Sequence, residues 1–292
     1  MFGKEEKMNK KKIYSNWFLV PALLIFSIFF LLPTIISFYF SLTVWDFNSV
    51  TFVGVDNFKT FFTTDSLVGS LKNTLVYAIL TCILKLVLAF FVAIFLTSKI
   101  RMKNLLRSII FFPNLISSVA IGITFSALMH PSKGLFNEIL AFWGVGGINW
   151  LGDVNIALYS VILTDVWKGV GVATVIFIAG MTSIDRTYYE AASIDGANSW
   201  QRLKNITLPL SRPAMNSVII LSFINGLRTF DLIWAMTKGG PGYATEVLAS
   251  SVYKQYAAGF YGLSTAGNVV LFILIAILAF PLQKFLLSKE VD

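Results

Sequence analysis

An all-α protein that crosses a membrane several times is the fold class this sequence predicts, on three observations. Hydrophobic residues make up 56% and charged residues 13% of the 292 positions, against about 25% charged in soluble domains. The apolar residues fall into six runs of membrane-spanning length, separated by polar segments. The basic residues gather beside the ends of those runs, which is how membrane orientation is encoded.

The amino end, residues 1–16, carries Lys4, Lys7, Lys10, Lys11 and Lys12. The apolar run 17–42 follows. A signal peptide has an apolar core of only about 7–15 residues, so this longer run is expected to stay as a first span, kinked at Pro33. An external segment, 44–71, then carries Trp45, Phe47, Phe52 and Phe58, aromatic residues suited to a membrane interface. The second span is expected over 73–98. Lys85 lies near its middle, where a charge is costly and must meet a partner, a carbonyl or the bundle interior.

Lys99, Arg101, Lys103 and Arg107 form a basic turn before the third span, 105–129. Pro113 in its first half frees a backbone carbonyl and can bend the helix. Asn114 beside it either faces a solute path or bonds to a neighbouring helix. In the external segment 130–155, Gly144, Gly146 and Gly147 do not make a nucleotide loop, since no strand precedes them and no Gly-Lys-Ser/Thr follows. The fourth, fifth and sixth spans are expected over 156–181, 214–236 and 263–287, with a tight turn at Thr237 to Gly242.

Orientation follows from the basic residues. About fifteen lysines and arginines flank the amino end, the 99–107 turn, the 186–212 segment and the carboxyl tail. Only Lys59, Lys72, Lys133, Lys238 and Lys254 lie on the other side. Both termini and the segment between the fourth and fifth spans are therefore expected in the cytoplasm.

Several classes of function are disfavoured. The net charge of +8 follows the span ends, and no aromatic-basic platform supports a nucleic-acid partner. The single cysteine, Cys82, cannot form an intrachain disulfide. One histidine, His130, and no Cys/His cluster disfavour a protein-built zinc site. No nucleophile-base-orienter set and no phosphate loop is visible, so the chain does not read as an enzyme.

The polar stretch Tyr189 to Pro209, YEAASIDGANSWQRLKNITLP, lies between the fourth and fifth apolar runs. Ala191, Ala192, Ile194, Ala197, Trp200 and Leu203 recur at roughly helical spacing, which predicts a short amphipathic helix. Glu190, Asp195, Arg202 and Lys204 are placed to form ion pairs at its rim. Gly196 lets the backbone leave regular helix, and Pro209 is expected to stop what precedes it. Read from pattern alone, the segment either docks on a partner or lies on the membrane surface.

Two polar stripes lie inside the spans. In the fourth, Asp165, Lys168, Gly169 and Val172 fall at i, i+3, i+4 and i+7. In the fifth, Ser222, Asn225, Gly226 and Thr229 have the same spacing, with Arg228 and Asp231 adjacent. Polar groups in spans are expensive. These stripes either line a solute path or hold helices together. The aromatic Trp167, Phe230 and Trp234 either pack or stack on sugar rings.

Glu190-Ala191-Ala192, then Gly196, then Ile206-Thr207-Leu208-Pro209 resembles the EAA loop of membrane subunits of ATP-binding-cassette importers. FVGVDNF, RSIIFFPNLISSVAIG, FDLIWAMTKGGP and the terminal span extend the resemblance along nearly the whole chain. Their order is similar to that in sugar permeases of the maltose and glycerol-3-phosphate class. The resemblance implies a type I importer permease fold, with a coupling helix between helices 4 and 5. It implies that Glu190, Ala191, Ala192, Asp195, Gly196, Arg202, Leu208 and Pro209 couple to an ATPase. It further implies that Asp165, Lys168, Gly169, Ser222, Asn225, Gly226, Arg228 and Thr229 border the substrate path. The implied partners are a second six-helix permease in a heterodimer, two cytoplasmic ATPase subunits, an extracytoplasmic binding protein and a sugar or oligosaccharide. ATP and magnesium would be used by the ATPase subunits and no cofactor held by this chain, in a bacterial cell membrane. A non-sugar solute, such as glycerol-3-phosphate or a polyamine, and a self-contained carrier are the alternatives.

Overall fold

The computed structural model describes residues 16–46, 48–98 and 100–289. The basic amino end before residue 16, Phe47 and Lys99 lie outside the described residues. The described residues start with α1 (Trp17–Phe40), followed by the antiparallel strands β1 (Thr43–Trp45) and β2 (Val50–Phe52). This small hairpin departs from the all-helical expectation. Asp46 shapes its loop by accepting hydrogen bonds from the Ser49 and Asn48 amides, which hold its carboxyl below the usual carboxylate range. Helices α2 (Asp56–Thr63) and α3 (Asp65–Thr97) come next. The second span therefore begins well before the expected residue 73, as the external segment winds straight into it.

The expected third span is broken. α4 (Lys103–Phe111) ends in a 3-10 turn at Phe112–Leu115 that contains Pro113, and Ile116 and Ser117 are extended. α5 (Ser118–Leu128) then leaves at 97° to the segment before it. Proline at 113 lacks the N–H that would continue the ladder. Past α6 (Leu135–Phe142) runs α7 (Ala157–Thr182), a continuous apolar helix. The polar segment after it forms α8 (Arg186–Ile194) and α9 (Ser199–Arg202).

The expected fifth span is also broken. α10 (Arg212–Leu227) stops at Arg228, and α11 (Asp231–Met236) resumes after Phe230. α12 (Leu248–Ala257) and α13 (Tyr261–Ser288) are the last described helices. Four described helices, α1, α3, α7 and α13, are individually long and apolar enough to cross a membrane, and the bent α4–α5 segment makes a fifth if it is one span.

Both α1 and the segment leading to α10 use the same device to carry helix through a proline. Ser27–Leu31 widens into a π turn just before Leu32-Pro33, and Leu203–Thr207 does so before Leu208-Pro209. In each, the residue before proline donates its amide five residues back, Leu32 to Ser27 and Leu208 to Leu203. The wide turn relieves the clash of the ring with the preceding turn. Pro209 thus does not stop the helix, contrary to the sequence expectation, and the interruption comes two residues later at Ser211.

α3, α7 and α10 pack against one another. Their apolar core is divided. Tyr77, Val161, Ile162 and Ile233 lie in one cluster, and Ala89, Ala93, Phe177 and Val218 in another. The polar site lies where one cluster gives way to the other.

Candidate functional site

A cavity of about 350 Å³ opens among α3, α7, α10 and the two helix breaks. Of the residues singled out on α7, Asp165, Lys168 and Gly169 all border it. From α10 and its end come Ser222, Asn225, Arg228 and Thr229. Gly226 does not border it, which corrects the expected stripe. A Cβ at 226 would come 2.6 Å from the Cα of Ala78, so this glycine lets α10 lie against α3. Its neighbours Asn225 and Thr229 turn the other way, into the cavity.

The breaks in the third and fifth spans bring further groups in. Asn114 lines the cavity from the 3-10 turn, and Ser118 from the first position of α5. Phe230 and Asp231 come from the break before α11. Irregular backbone is tolerated at membrane depth where it borders a polar cavity.

Lys85 of α3 also reaches the cavity wall and donates to Asp165 Oδ2 at 2.8 Å. The two side chains are 8% and 21% exposed. Asp165 therefore pairs with a different helix, and not with Lys168 one turn along its own. Lys168 donates instead to the Ser118 hydroxyl across the break. Sequence reasoning left the partner of Lys85 open, because a period along one helix carries no register with another. A lone lysine in an apolar run, matched by a lone aspartate in a second run, was the available signal.

Gly169 faces Lys85. A Cβ there would stand 2.7 Å from Lys85 Cε and 2.9 Å from its Nζ. The glycine makes room for the lysine to cross α7 and reach Asp165. The remaining polar groups of the cavity comprise two amides, three hydroxyls, two basic side chains and two carboxylates, counting the paired Asp165 and leaving the paired Lys85 aside. Such a wall can accept from and donate to several hydroxyls of one solute. Among the described residues no group of three His, Cys, Asp or Glu side chains is arranged to hold a metal ion.

The second site is the segment from α8 to Pro209. It forms two short helices where the sequence suggested one. Asp185 caps α8 by accepting from the Thr187 amide, an interaction that holds its carboxyl below the usual range. Gly196 takes φ +75°, a left-handed conformation that ends α8 and turns the chain. Asn198 and Gln201 then start α9 with reciprocal side-chain to backbone bonds.

Glu190, Ala191 and Asp195 are exposed, and Ala192 is half-buried. Ile194 and Trp200 are 87% and 68% exposed, a large apolar offering from a polar segment. Arg202 is half-buried and points back, donating to the Ser193 and Ser199 hydroxyls at 3.3 and 3.4 Å. Tyr189 and Thr207 join the two ends of the segment through their hydroxyls at 3.0 Å. Leu208 is partly exposed and Pro209 half-buried, in the helical turn that leads to α10. No ion pair among the described residues involves Glu190, Asp195, Arg202 or Lys204.

Residues 85–290 match the family model of the binding-protein-dependent transport system inner membrane component. The chain is 32% identical over 259 residues to the trehalose/maltose transport system permease protein MalF of Thermococcus litoralis, covering 88% of each chain. It is 29% identical over 290 residues to the probable starch degradation products transport system permease protein AmyD of Thermoanaerobacterium thermosulfurigenes, covering 99% of this chain and 98% of that one. Among solved structures, a chain of a bacterial transporter that imports the acidic polysaccharide alginate superposes with a TM-score of 0.77 at 23% identity, over 94% of this chain and 95% of that one. With its family model covering more than half of the sequence and a relative above 30% identity along most of it, this chain belongs to the family of inner membrane components of binding-protein-dependent transport systems.

Proposed function

We propose that this permease forms one half of the path for a sugar or oligosaccharide in an ATP-driven importer. The observation that carries the reading is the cavity itself. It brings hydroxyl, amide and carboxylate groups from α7 and α10 to one wall, between two apolar clusters. Relatives named for trehalose and maltose and for starch degradation products support a carbohydrate as cargo.

The chain crosses the membrane six times in this reading, with the broken third and fifth spans counted as one each and both termini in the cytoplasm. A second six-helix permease completes the path as a heterodimer, in the cytoplasmic membrane of a bacterium. An extracytoplasmic binding protein delivers the solute. Two ATPase subunits bind ATP with magnesium and receive the exposed segment around Glu190, Ala191, Ala192, Asp195 and Gly196. Their closure on ATP moves α8 as a rigid body, and α7 and α10, which flank the segment, carry that movement to the cavity. The outward-open state accepts the sugar, and hydrolysis resets the path inward. The chain performs no chemistry on the sugar.

Lys168 and Arg228 favour a second reading, in which the solute is anionic, such as a glycerol phosphate. The test is ATPase activity of the reconstituted complex with the binding protein loaded by a panel of sugars and of phosphorylated solutes. Stimulation by a sugar, abolished by Glu190→Lys, is the expected result. Stimulation only by a phosphorylated solute moves the reading to the second one. Uptake with no ATPase subunit present overturns both.

A further inference from the structure

We propose that Phe230, Trp234 and Tyr253 form an aromatic saccharide-stacking subsite at the mouth of the cavity, taking the rings of an oligosaccharide that the cavity itself does not hold. This rests on the carbohydrate reading above.

Phe230 borders the cavity. Its ring stacks on Trp234 of α11, with centroids 5.7 Å apart and planes 18° apart. Tyr253 of α12 meets both, at 5.4 Å from Phe230 and 4.8 Å from Trp234. The three rings pack into one aromatic cluster that begins on the cavity wall, with Phe230 and Trp234 half-buried and Tyr253 exposed. It leads away from the docking segment, because α11 continues beyond the far end of α10. Tyr253 is 43% exposed, so the trio does not end in a closed core.

Sugar rings present C–H groups on their faces and hydroxyls at their edges. The C–H faces fit the negative faces of aromatic rings, while the hydroxyls suit a polar wall. The cavity supplies the polar wall and the trio supplies the ring faces. The part of the path that this chain borders holds about 350 Å³, at the low end of the roughly 300–1,000 Å³ found for ligand pockets, and a chain of many sugar rings extends beyond it.

The trio is also held in place. The carboxylate of Glu246, 2% exposed, accepts from Lys254 Nζ at 2.6 Å, next to Tyr253. The Thr74 hydroxyl accepts from the Leu248 amide at 2.8 Å, tying the start of α12 to α3. Asn73 donates to the carbonyls of Tyr243, Ala244 and Glu246. A surface fixed before the ligand arrives loses little freedom on binding.

The experiment uses the complete reconstituted transporter in proteoliposomes. Uptake is measured for two-unit to six-unit members of α-1,4-glucan, arabinan and alginate series. With Trp234→Leu and with Tyr253→Leu, the ratio of six-unit to two-unit uptake is expected to fall about fivefold, as loss of one stacked ring would give. Trp234→Phe and Tyr253→Phe retain a ring and are expected to retain the ratio. If the Leu variants lower all lengths together, or leave the ratio unchanged, the rings serve only packing, the membrane interface or the second permease, and the subsite is overturned. Wild-type uptake confined to two-unit saccharides overturns the subsite alone. Wild-type uptake of none of these saccharides, with a non-sugar solute taken up instead, overturns the carbohydrate reading and the subsite with it.

Discussion

Lys85 lies across the face of α7 at Gly169, so that its ammonium reaches Asp165 Oδ2 at 2.8 Å where a side chain at 169 would stand in its way. Gly169 reads in the sequence as one member of a polar stripe that lines a solute path or holds helices together. In the structure it is also the place where one helix admits the charge of another. Gly169→Val is expected to displace Lys85 and unpair Asp165. Breaking one side of a buried ion pair costs about 3–5 kcal/mol, and partial exposure of Asp165 to the cavity puts the expected loss at the lower end. A thermal-unfolding series of the purified complex checks this. Gly169→Val and Lys85→Met should both lower Tm, and Lys85→Met with Asp165→Leu should recover part of the loss. Equal stability of Lys85→Met and the parent would show that the pair holds nothing together.

Gly226 separates two roles that its spacing could not. Its neighbours at 225 and 229 face the cavity, while its own face meets Ala78. Gly226→Leu should therefore force α10 from α3 and cost about 1–3 kcal/mol by overpacking. Asn225→Ala should instead leave folding close to the parent and change solute-stimulated ATPase activity. Unfolding curves and ATPase titrations on the two variants separate them. A Gly226→Leu protein with parental Tm and altered solute selectivity would return Gly226 to the path.

How far the sequence reaches is shown by such pairs. The apolar runs, the polar segment 189–209 and most cavity residues are legible because helical period and the cost of polarity in a span both act within one segment. The Lys85–Asp165 and Lys168–Ser118 contacts are not legible, since each joins two segments whose relative register the local pattern does not contain. Pro113 announces a bend, but its size, 97°, depends on Ile116 and Ser117 becoming extended. The break at Arg228 carries no proline or glycine in the broken turn itself. Pro209 misleads in the opposite sense, and Pro33 lies within a continuing helix of the same kind. A π turn before each carries the helix through, and nothing in the local composition distinguishes them from prolines that stop one.

Ile194 and Trp200 stand out from the polar segment between α7 and α10, largely free of the rest of the chain. Their exposure means that their loss removes little internal packing. Ile194→Asp and Trp200→Ala are expected to leave the Tm of the isolated permease pair within about 1 °C, surface changes being small. Both should weaken recovery of the ATPase subunits with the complex by about tenfold, since a buried apolar anchor carries much of the energy at an interface. Pull-down against a fixed concentration of the ATPase reads this directly. Full retention of the ATPase by the double variant would place the interface elsewhere.

Asp185 makes the segment between α7 and α10 sensitive to acid. Its carboxylate accepts from the first-turn amide of Thr187 at 2.9 Å, and this holds its pKa below the ordinary aspartate value of 3.8. A group with a depressed folded pKa contributes stability above its unfolded pKa and loses it as pH falls through the folded value. The cap is therefore complete at neutral pH and fails only below about pH 4. Asp185→Asn keeps an acceptor oxygen at the cap and should remove that acid limb. Asp185→Ala should fray α8 at every pH. Amide hydrogen exchange at Thr187 to Glu190, followed from pH 7 to pH 3 after correction for the intrinsic rate, distinguishes the three proteins. Protection that falls with acid equally in the parent and in Asp185→Asn would assign the acid limb to another group.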